Sequence, residues 1–173
     1  MGNIPKDHVK SVELDISGRV EDTSTDTIIA LANGVVSSLL IDKQTKRACL
    51  NKLRKLGYFG DSIYLRIYVI GLYYLIRPII SKLGLVILDE DFRGKEGFIK
   101  EQLINLFLKY KVKFNELSFL FKYIGKRSPA HKIAISSLRK KIKCDLIITE
   151  SQIINEFSLG KRKRLGTAKS RNS

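Results

Sequence analysis

The first 41 residues constrain the fold most, because they contain three strand patterns separated by turn signals. Residues 9–16 alternate apolar and polar side chains with the period of a half-buried strand. Residues 27–32 form a second apolar run, and the Asn33-Gly34 pair that follows is the strongest short signal for a hairpin. Residues 35–41 return as a third run. The sequence therefore predicts that the fold opens with an antiparallel three-stranded meander.

The rest of the chain alternates between helix and strand patterns. A four-residue apolar run at 85–88 follows a helical segment, which indicates a central strand in parallel pairing. The predicted elements are, in order, helices at 46–56 and 63–80, a strand at 85–88, a helix at 95–110, a strand at 117–124, a helix at 130–141 and a strand at 146–148. A meander followed by such crossovers predicts an α/β fold, with a mixed sheet and helices on both of its faces.

Composition indicates one folded domain with polar ends. Hydrophobic residues make up 44% of the 173 residues, which is enough for a single core. The last 13 residues contain six basic side chains, no acidic ones and almost nothing to bury. We therefore expect a flexible N-terminus at 1–8, a folded domain at 9–157 and a disordered basic tail at 158–173.

The most apolar stretch, 63–80, is predicted to be a helix of the core rather than a membrane span. Arg66 and Arg77 leave ten uncharged residues between them, whereas a span needs about 20. Residues 1–15 are polar and lack the apolar segment of a secretory signal. Two cysteines are too few for a disulfide framework. These features favour a cytoplasmic protein.

The net charge of +15 is the firmest indication of a partner. Between Phe121 and Ser173 there are 14 Lys or Arg residues against three acidic ones. Such an excess neutralises phosphates and predicts binding to nucleic acid, either DNA or RNA. An anionic membrane surface that meets the basic tail is the less favoured alternative. The residues expected to contact nucleic acid are Lys122, Lys126, Arg127, Arg139, Lys140, Lys141, Lys161, Arg162, Lys163 and Arg164.

Two acidic residues stand on strand patterns where they could meet. Asp15 lies in the first strand pattern, within VELDISG, and Asp89 directly follows the apolar run of LVILDED. With its order of elements, the chain resembles the RNase H-like superfamily over roughly residues 9–141. The resemblance implies that Asp15 and Asp89 lie side by side on neighbouring strands and hold Mg²⁺ or Mn²⁺. Asp91, in the same acidic cluster as Asp89, is a further candidate ligand.

The resemblance also implies a third site residue on the last helix of the fold. The segment SPAHKIA at 128–134 has the pattern of a helix start, with His131 in its first turn. His131 could bind a metal or position the attacking water, or it could touch a phosphate as an ordinary surface residue. The glutamate that the family carries on its first helix has no clear counterpart in this sequence.

The leading hypothesis is a metal-dependent nuclease that hydrolyses phosphodiester bonds in DNA or RNA. Its catalytic residues would be Asp15, Asp89 and His131, and its metal ligands Asp15, Asp89 and Asp91. The alternative is a non-catalytic nucleic-acid-binding protein on the same frame, which the missing glutamate favours. A homodimer could form through the tyrosines of the apolar segment, Tyr68, Tyr73 and Tyr74.

Overall fold

The computed structural model describes residues 9–114 and 119–161, which form a six-stranded mixed sheet with five α-helices. The strands lie in the order β5-β4-β1-β2-β3-β6. β2 is antiparallel to β1 and β3, β4 is parallel to β1 and β5, and β6 is parallel to β3. The elements are β1 (Val9–Ser17), β2 (Thr27–Ala32), β3 (Ser37–Ile41), α1 (Lys43–Lys55), α2 (Ser62–Ile76), β4 (Leu83–Leu88), α3 (Glu96–Lys109), β5 (Phe119–Phe121), α4 (Pro129–Leu138), β6 (Leu146–Ile147) and α5 (Glu150–Lys161).

The antiparallel meander predicted for the first 41 residues is confirmed. β1, β2 and β3 pair in sequence, with Leu14 opposite Leu31 and Leu31 opposite Ser37. Asn33 and Gly34 have φ values of 68° and 96°, the positive range that the Asn-Gly signal predicts. β3 begins at Ser37, so the turn is longer than a two-residue hairpin.

Different helices cover the two faces of the sheet, as the pattern predicts. Alternate residues of a strand point to opposite faces. On β2, Ile29 belongs to the large core that includes α2, whereas Ile28 packs with Ala134 of α4. Gly71 of α2 allows a close approach of this helix to the sheet, because a Cβ there would lie 2.7 Å from Ile29 Cδ1.

Helix α2 is the predicted core helix. It ends at Ile76, before Pro78, and a 3₁₀ turn then leads into β4. Tyr68 and Tyr73 are buried within the core, so they do not form an exposed face for a dimer. In the ranges 9–114 and 119–161, no helix combines the length and the apolar character needed to cross a membrane.

Helix α5 is the one long element that the sequence patterns did not predict. It packs against α1 and α2, with Ile153 and Phe157 buried. Glu156, also buried, accepts from Lys109 Nζ at 2.6 Å and from the Tyr110 hydroxyl at 2.7 Å. The helix extends to Lys161 and so includes the start of the segment predicted as a tail. The remainder of that segment and the predicted N-terminus at 1–8 lie outside the described residues.

Candidate metal centre

Asp15 lies on β1, on the face of the sheet that α4 covers. It pairs across the sheet with Ala30 and is 3% exposed. A carboxyl buried this deeply needs a polar partner, and Asp15 Oδ2 lies 2.9 Å from His131 Nδ1. Burial is the largest influence on the pKa of Asp15 and raises it; His131 lowers it, and the nearby Asp89 raises it further. Asp15 is therefore an interior group rather than a solvent-facing strand residue.

Asp89 follows the last residue of β4, the strand next to β1. Its backbone N–H donates to Leu14 O at 3.1 Å, and its Oδ1 accepts from the Ile124 N–H at 2.9 Å. Asp91 stands two residues further on. One carboxylate oxygen from each of Asp15, Asp89 and Asp91 lies within 4.8 Å of the others. The structure thus brings the three predicted ligands into one cluster, which we call the aspartate triad.

The triad concentrates negative charge in a partly desolvated place. Although Asp91 is the most exposed of the three, the protein around its carboxyl raises its pKa to about 7. Desolvation is the main cause, followed by repulsion from Asp89 and Asp15. The triad also acts on the buried Tyr68, whose ring centroid lies 4.8 Å from that of Phe92. Burial raises the pKa of the Tyr68 hydroxyl, and the three carboxyls raise it further. A cation would relieve this repulsion.

Asparagine at position 91 is expected to stabilise the metal-free protein by about 1 kcal/mol at pH 8. The raised pKa means that the folded protein holds this proton more tightly than the unfolded chain. Wild-type stability therefore falls as the pH rises from about 4 to the folded-state pKa of about 7. The variant lacks this loss, and solvent screening at the exposed carboxyl keeps the difference small. Urea unfolding in EDTA at pH 5 and 8 measures it; a destabilised Asp91→Asn protein at pH 8 contradicts the argument.

His131 is held beside Asp15 by the way α4 begins. Ser128 caps the helix, since its Oγ accepts from the Ala130 N–H at 3.1 Å. The same hydroxyl donates to Glu13 Oε2 at 2.7 Å. Glu13 lies on β1 two residues before Asp15, so this bond fixes the start of α4 against the strand that carries the aspartate. Sequence reasoning gave Glu13 no role, because the strand pattern does not reveal which helix covers its face.

Three of the predicted nucleic-acid contacts lie on a segment whose backbone is hydrogen-bonded to the triad. Lys122, Lys126 and Arg127 are exposed in the segment between β5 and α4. Ile124 belongs to the same segment and donates its backbone N–H to Asp89.

The other predicted contacts are placed elsewhere. Arg139, Lys140 and Lys141 are exposed just beyond the opposite end of α4, a helix of ten residues that is about 15 Å long. Lys161 is the last residue of α5, and residues 162–164 lie outside the described part of the chain. The structure does not bring Arg139, Lys140 or Lys141 to the triad.

A cavity of about 430 Å³ opens beside Asp91, and Arg19 is the basic residue that lines it. Gly18 has φ +80°, and a Cβ there would lie 2.1 Å from Asp26 O, so the loop after β1 needs glycine at this position. The Arg19 carbonyl accepts from Lys46 Nζ at 2.9 Å. Lys46 is fully buried. Sequence reasoning missed Arg19, because its place beside Asp91 depends on the fold of the loop after β1.

The fold and the site together define a mixed α/β protein with a three-aspartate candidate metal centre. A histidine contacts one of the aspartates, and the backbone of the segment between β5 and α4 donates a hydrogen bond to another. Comparison of the chain with protein-family models, with curated proteins and with solved structures found no match.

Proposed function

We propose that the chain is a divalent-metal-dependent nuclease with an RNase H-like domain. The aspartate triad is the observation that carries the proposal, because it joins carboxyls from β1 and from the end of the adjacent parallel strand β4. The strand order β5-β4-β1-β2-β3, with β2 antiparallel and β4 parallel to β1, supports the RNase H-like arrangement. The excess of basic residues supports a phosphodiester polymer as the substrate.

The donor set of the triad suits Mg²⁺ or Mn²⁺. Both are hard cations that prefer carboxylate oxygens, and at Mg–O distances of about 2.1 Å two oxygens on one ion are at most about 4.2 Å apart. The three oxygens of Asp15, Asp89 and Asp91 all lie within 4.8 Å of one another, close to that spacing. When bound, such an ion lowers the pKa of a coordinated water and stabilises a leaving oxygen.

The chain's own residues have separate tasks in this proposal. Asp15, Asp89 and Asp91 hold the ion. The Ile124 N–H fixes one oxygen of Asp89, and His131 fixes one oxygen of Asp15. Lys122, Lys126 and Arg127 hold the phosphates on either side of the scissile bond.

Cleavage of end-labelled single-stranded, duplex and RNA–DNA hybrid substrates tests the proposal. Purified full-length protein is assayed with Mg²⁺ or Mn²⁺ and with EDTA, and binding is measured on the same samples. Metal-dependent cutting that Asp89→Asn removes, with binding retained, is the expected result. Tight, salt-sensitive binding without cutting under either metal would contradict the nuclease assignment.

Alanine at position 131 is expected to slow cleavage by about 10- to 100-fold, the usual effect of losing a group that orients a metal ligand. Without His131, Asp15 keeps its burial but loses the partner that sets its rotamer. Because a structural defect alone could slow cleavage, Mn²⁺ affinity is titrated in parallel and should weaken as well. Lys132→Ala, at an exposed position one residue away, is the control. If the His131→Ala protein bound Mn²⁺ as tightly as the wild type, His131 would not be a positioning residue for the metal ligand Asp15.

A second candidate function is nucleic-acid binding without catalysis. Neither α1 nor α2 contains an acidic residue, so no glutamate from these helices can complete the triad. In the described ranges, the triad is the one cluster of three or more potential ligands. This candidate predicts Mn²⁺ binding and nucleic-acid binding without any cut product.

A further inference from the structure

Three cavities that share lining residues follow one another along the surface, and Asp91 of the triad lines the first of them. The cavity beside Asp91 shares Glu21 with a second cavity of about 340 Å³. The second shares Leu50, Arg54 and Tyr64 with a third of about 300 Å³. Together they run from the loop after β1, along α1, to the start of α2. We call this surface the α1 groove. Its charged and aromatic lining residues include Arg19, Glu21, Arg47, Arg54, Phe59 and Tyr64.

Three arginines are distributed along the α1 groove. Arg19 lines the first cavity, and Arg47 and Arg54 line the second. Arg47 and Arg54 stand seven positions apart on α1 and therefore share one face of the helix. All three are exposed, and Arg47 Nε donates to Thr23 O at 2.9 Å, which orients its guanidinium while leaving its other N–H groups for a ligand. The groove also contains two carboxylates with no metal role, Glu21 and Asp61.

Two aromatic side chains lie at the end of the α1 groove that contains Arg54. Phe59, in the third cavity, is 72% exposed, the highest value among the large apolar side chains of the described residues. Tyr64 is half-buried in the wall between the second and third cavities. Exposed aromatic rings beside cations are the arrangement on which unpaired bases stack. The bases of a duplex are already stacked on one another and would not use these rings.

We propose that the α1 groove binds a single-stranded segment of nucleic acid that continues from the triad. The arginines contact its phosphates, and Phe59 and Tyr64 stack on its bases. The direction of the strand, from the triad outward, rests on the proposed nuclease function. Binding in the groove requires no metal, so it is measured in EDTA and separately from cleavage.

The test is the affinity of the full-length protein for fluorescein-labelled oligothymidylate and oligouridylate of about 20 nucleotides, longer than the usual site sizes. A DNA duplex of equal length is titrated alongside. Arg47→Ala and Arg54→Ala should each weaken single-strand binding about tenfold at low salt and reduce the slope of log K against log salt by about 0.7. Glu21→Gln should strengthen binding a few-fold by removing a negative charge.

Phe59→Ala separates a single strand from a duplex. It should weaken single-strand binding about tenfold and leave duplex binding within twofold. The matched controls are Lys113→Ala and Leu108→Ala, which remove an exposed cation and an exposed apolar side chain outside the three cavities.

The two sets of variants decide the proposal. If Arg47→Ala and Lys113→Ala lost the same amount of single-strand affinity, the effect would be one of net charge and the α1 groove would not be the binding site. If Phe59→Ala lost the same amount of affinity for single strand and duplex, the single-strand assignment would be overturned. Either result is independent of whether metal-dependent cleavage is found. The ratio of the DNA to the RNA affinity identifies the preferred strand.

Discussion

Asparagine in place of Asp15 is expected to lower the rate of metal-dependent cleavage by about 10³-fold or more. This exceeds the loss of about 10- to 100-fold that is usual when a residue that only orients a metal ligand is removed. The neutral amide is a poor ligand for a hard cation, and the buried position admits little water to replace the lost oxygen. The same change removes the carboxylate that His131 contacts. Single-turnover cleavage measures the rate, and titration with Mn²⁺ measures the affinity, which should fall in parallel.

The control for this prediction is Glu101→Gln, which removes an exposed carboxylate from α3. It should cleave at the wild-type rate. Binding of nucleic acid by the Asp15→Asn protein in EDTA should also be unchanged, since no basic residue has been altered. Wild-type cleavage by Asp15→Asn would exclude the triad as the catalytic centre.

The largest expected effect on stability is at Lys46. Its Nζ donates to Arg19 O at 2.9 Å, to Asp22 O at 2.6 Å and to Thr27 Oγ1 at 2.9 Å. Methionine keeps most of the volume but removes the donor to Asp22 O and Thr27 Oγ1 and leaves Arg19 O with the Thr27 hydroxyl at 3.1 Å. It also removes the cost of burying a charge. We expect Lys46→Met to lose about 2–4 kcal/mol of unfolding free energy, measured by urea denaturation.

Lys43→Met is the matched control on the same helix. Lys43 is exposed, so its replacement should change the unfolding free energy by no more than about 0.5 kcal/mol. Lys46 also holds the loop that carries Arg19, so Lys46→Met should weaken single-strand binding even at temperatures where it remains folded. Equal unfolding free energies for Lys46→Met and Lys43→Met would contradict the prediction and would mean that water takes the place of the Lys46 ammonium group.

Sequence patterns were sufficient for the parts of the fold that depend on local periodicity. The alternation in β1 and the apolar runs of β2 and β4 placed these strands within two residues of their observed bounds. The proximity of Asp15 and Asp89 was expected from the resemblance to the RNase H-like superfamily, in which the first and fourth strands are neighbours, and the cluster of carboxyls confirms it. Ser128 and Pro129 likewise marked the start of α4 correctly.

Features that depend on distant contacts were missed. Helix α5 has few apolar residues and precedes a basic segment, so only its packing on α1 and α2 reveals it. Lys46 reads as one more cation of a basic helix, and its burial becomes evident only when the loop after β1 folds over it. The groove along α1 is lined by four separate segments, 16–23, 47–54, 59–64 and 91–92, so no single stretch of sequence reveals it.

The bond between His131 and Asp15 has a consequence for the timing of folding during synthesis. The two residues are 116 positions apart in the chain. At about 5–20 residues per second, a ribosome makes the histidine about 6 to 23 seconds after the aspartate. The meander can pair early, because β1, β2 and β3 are consecutive. The contact between His131 and Asp15 forms only when α4 has been made and has docked, so 116 residues are added after the aspartate before the site is complete.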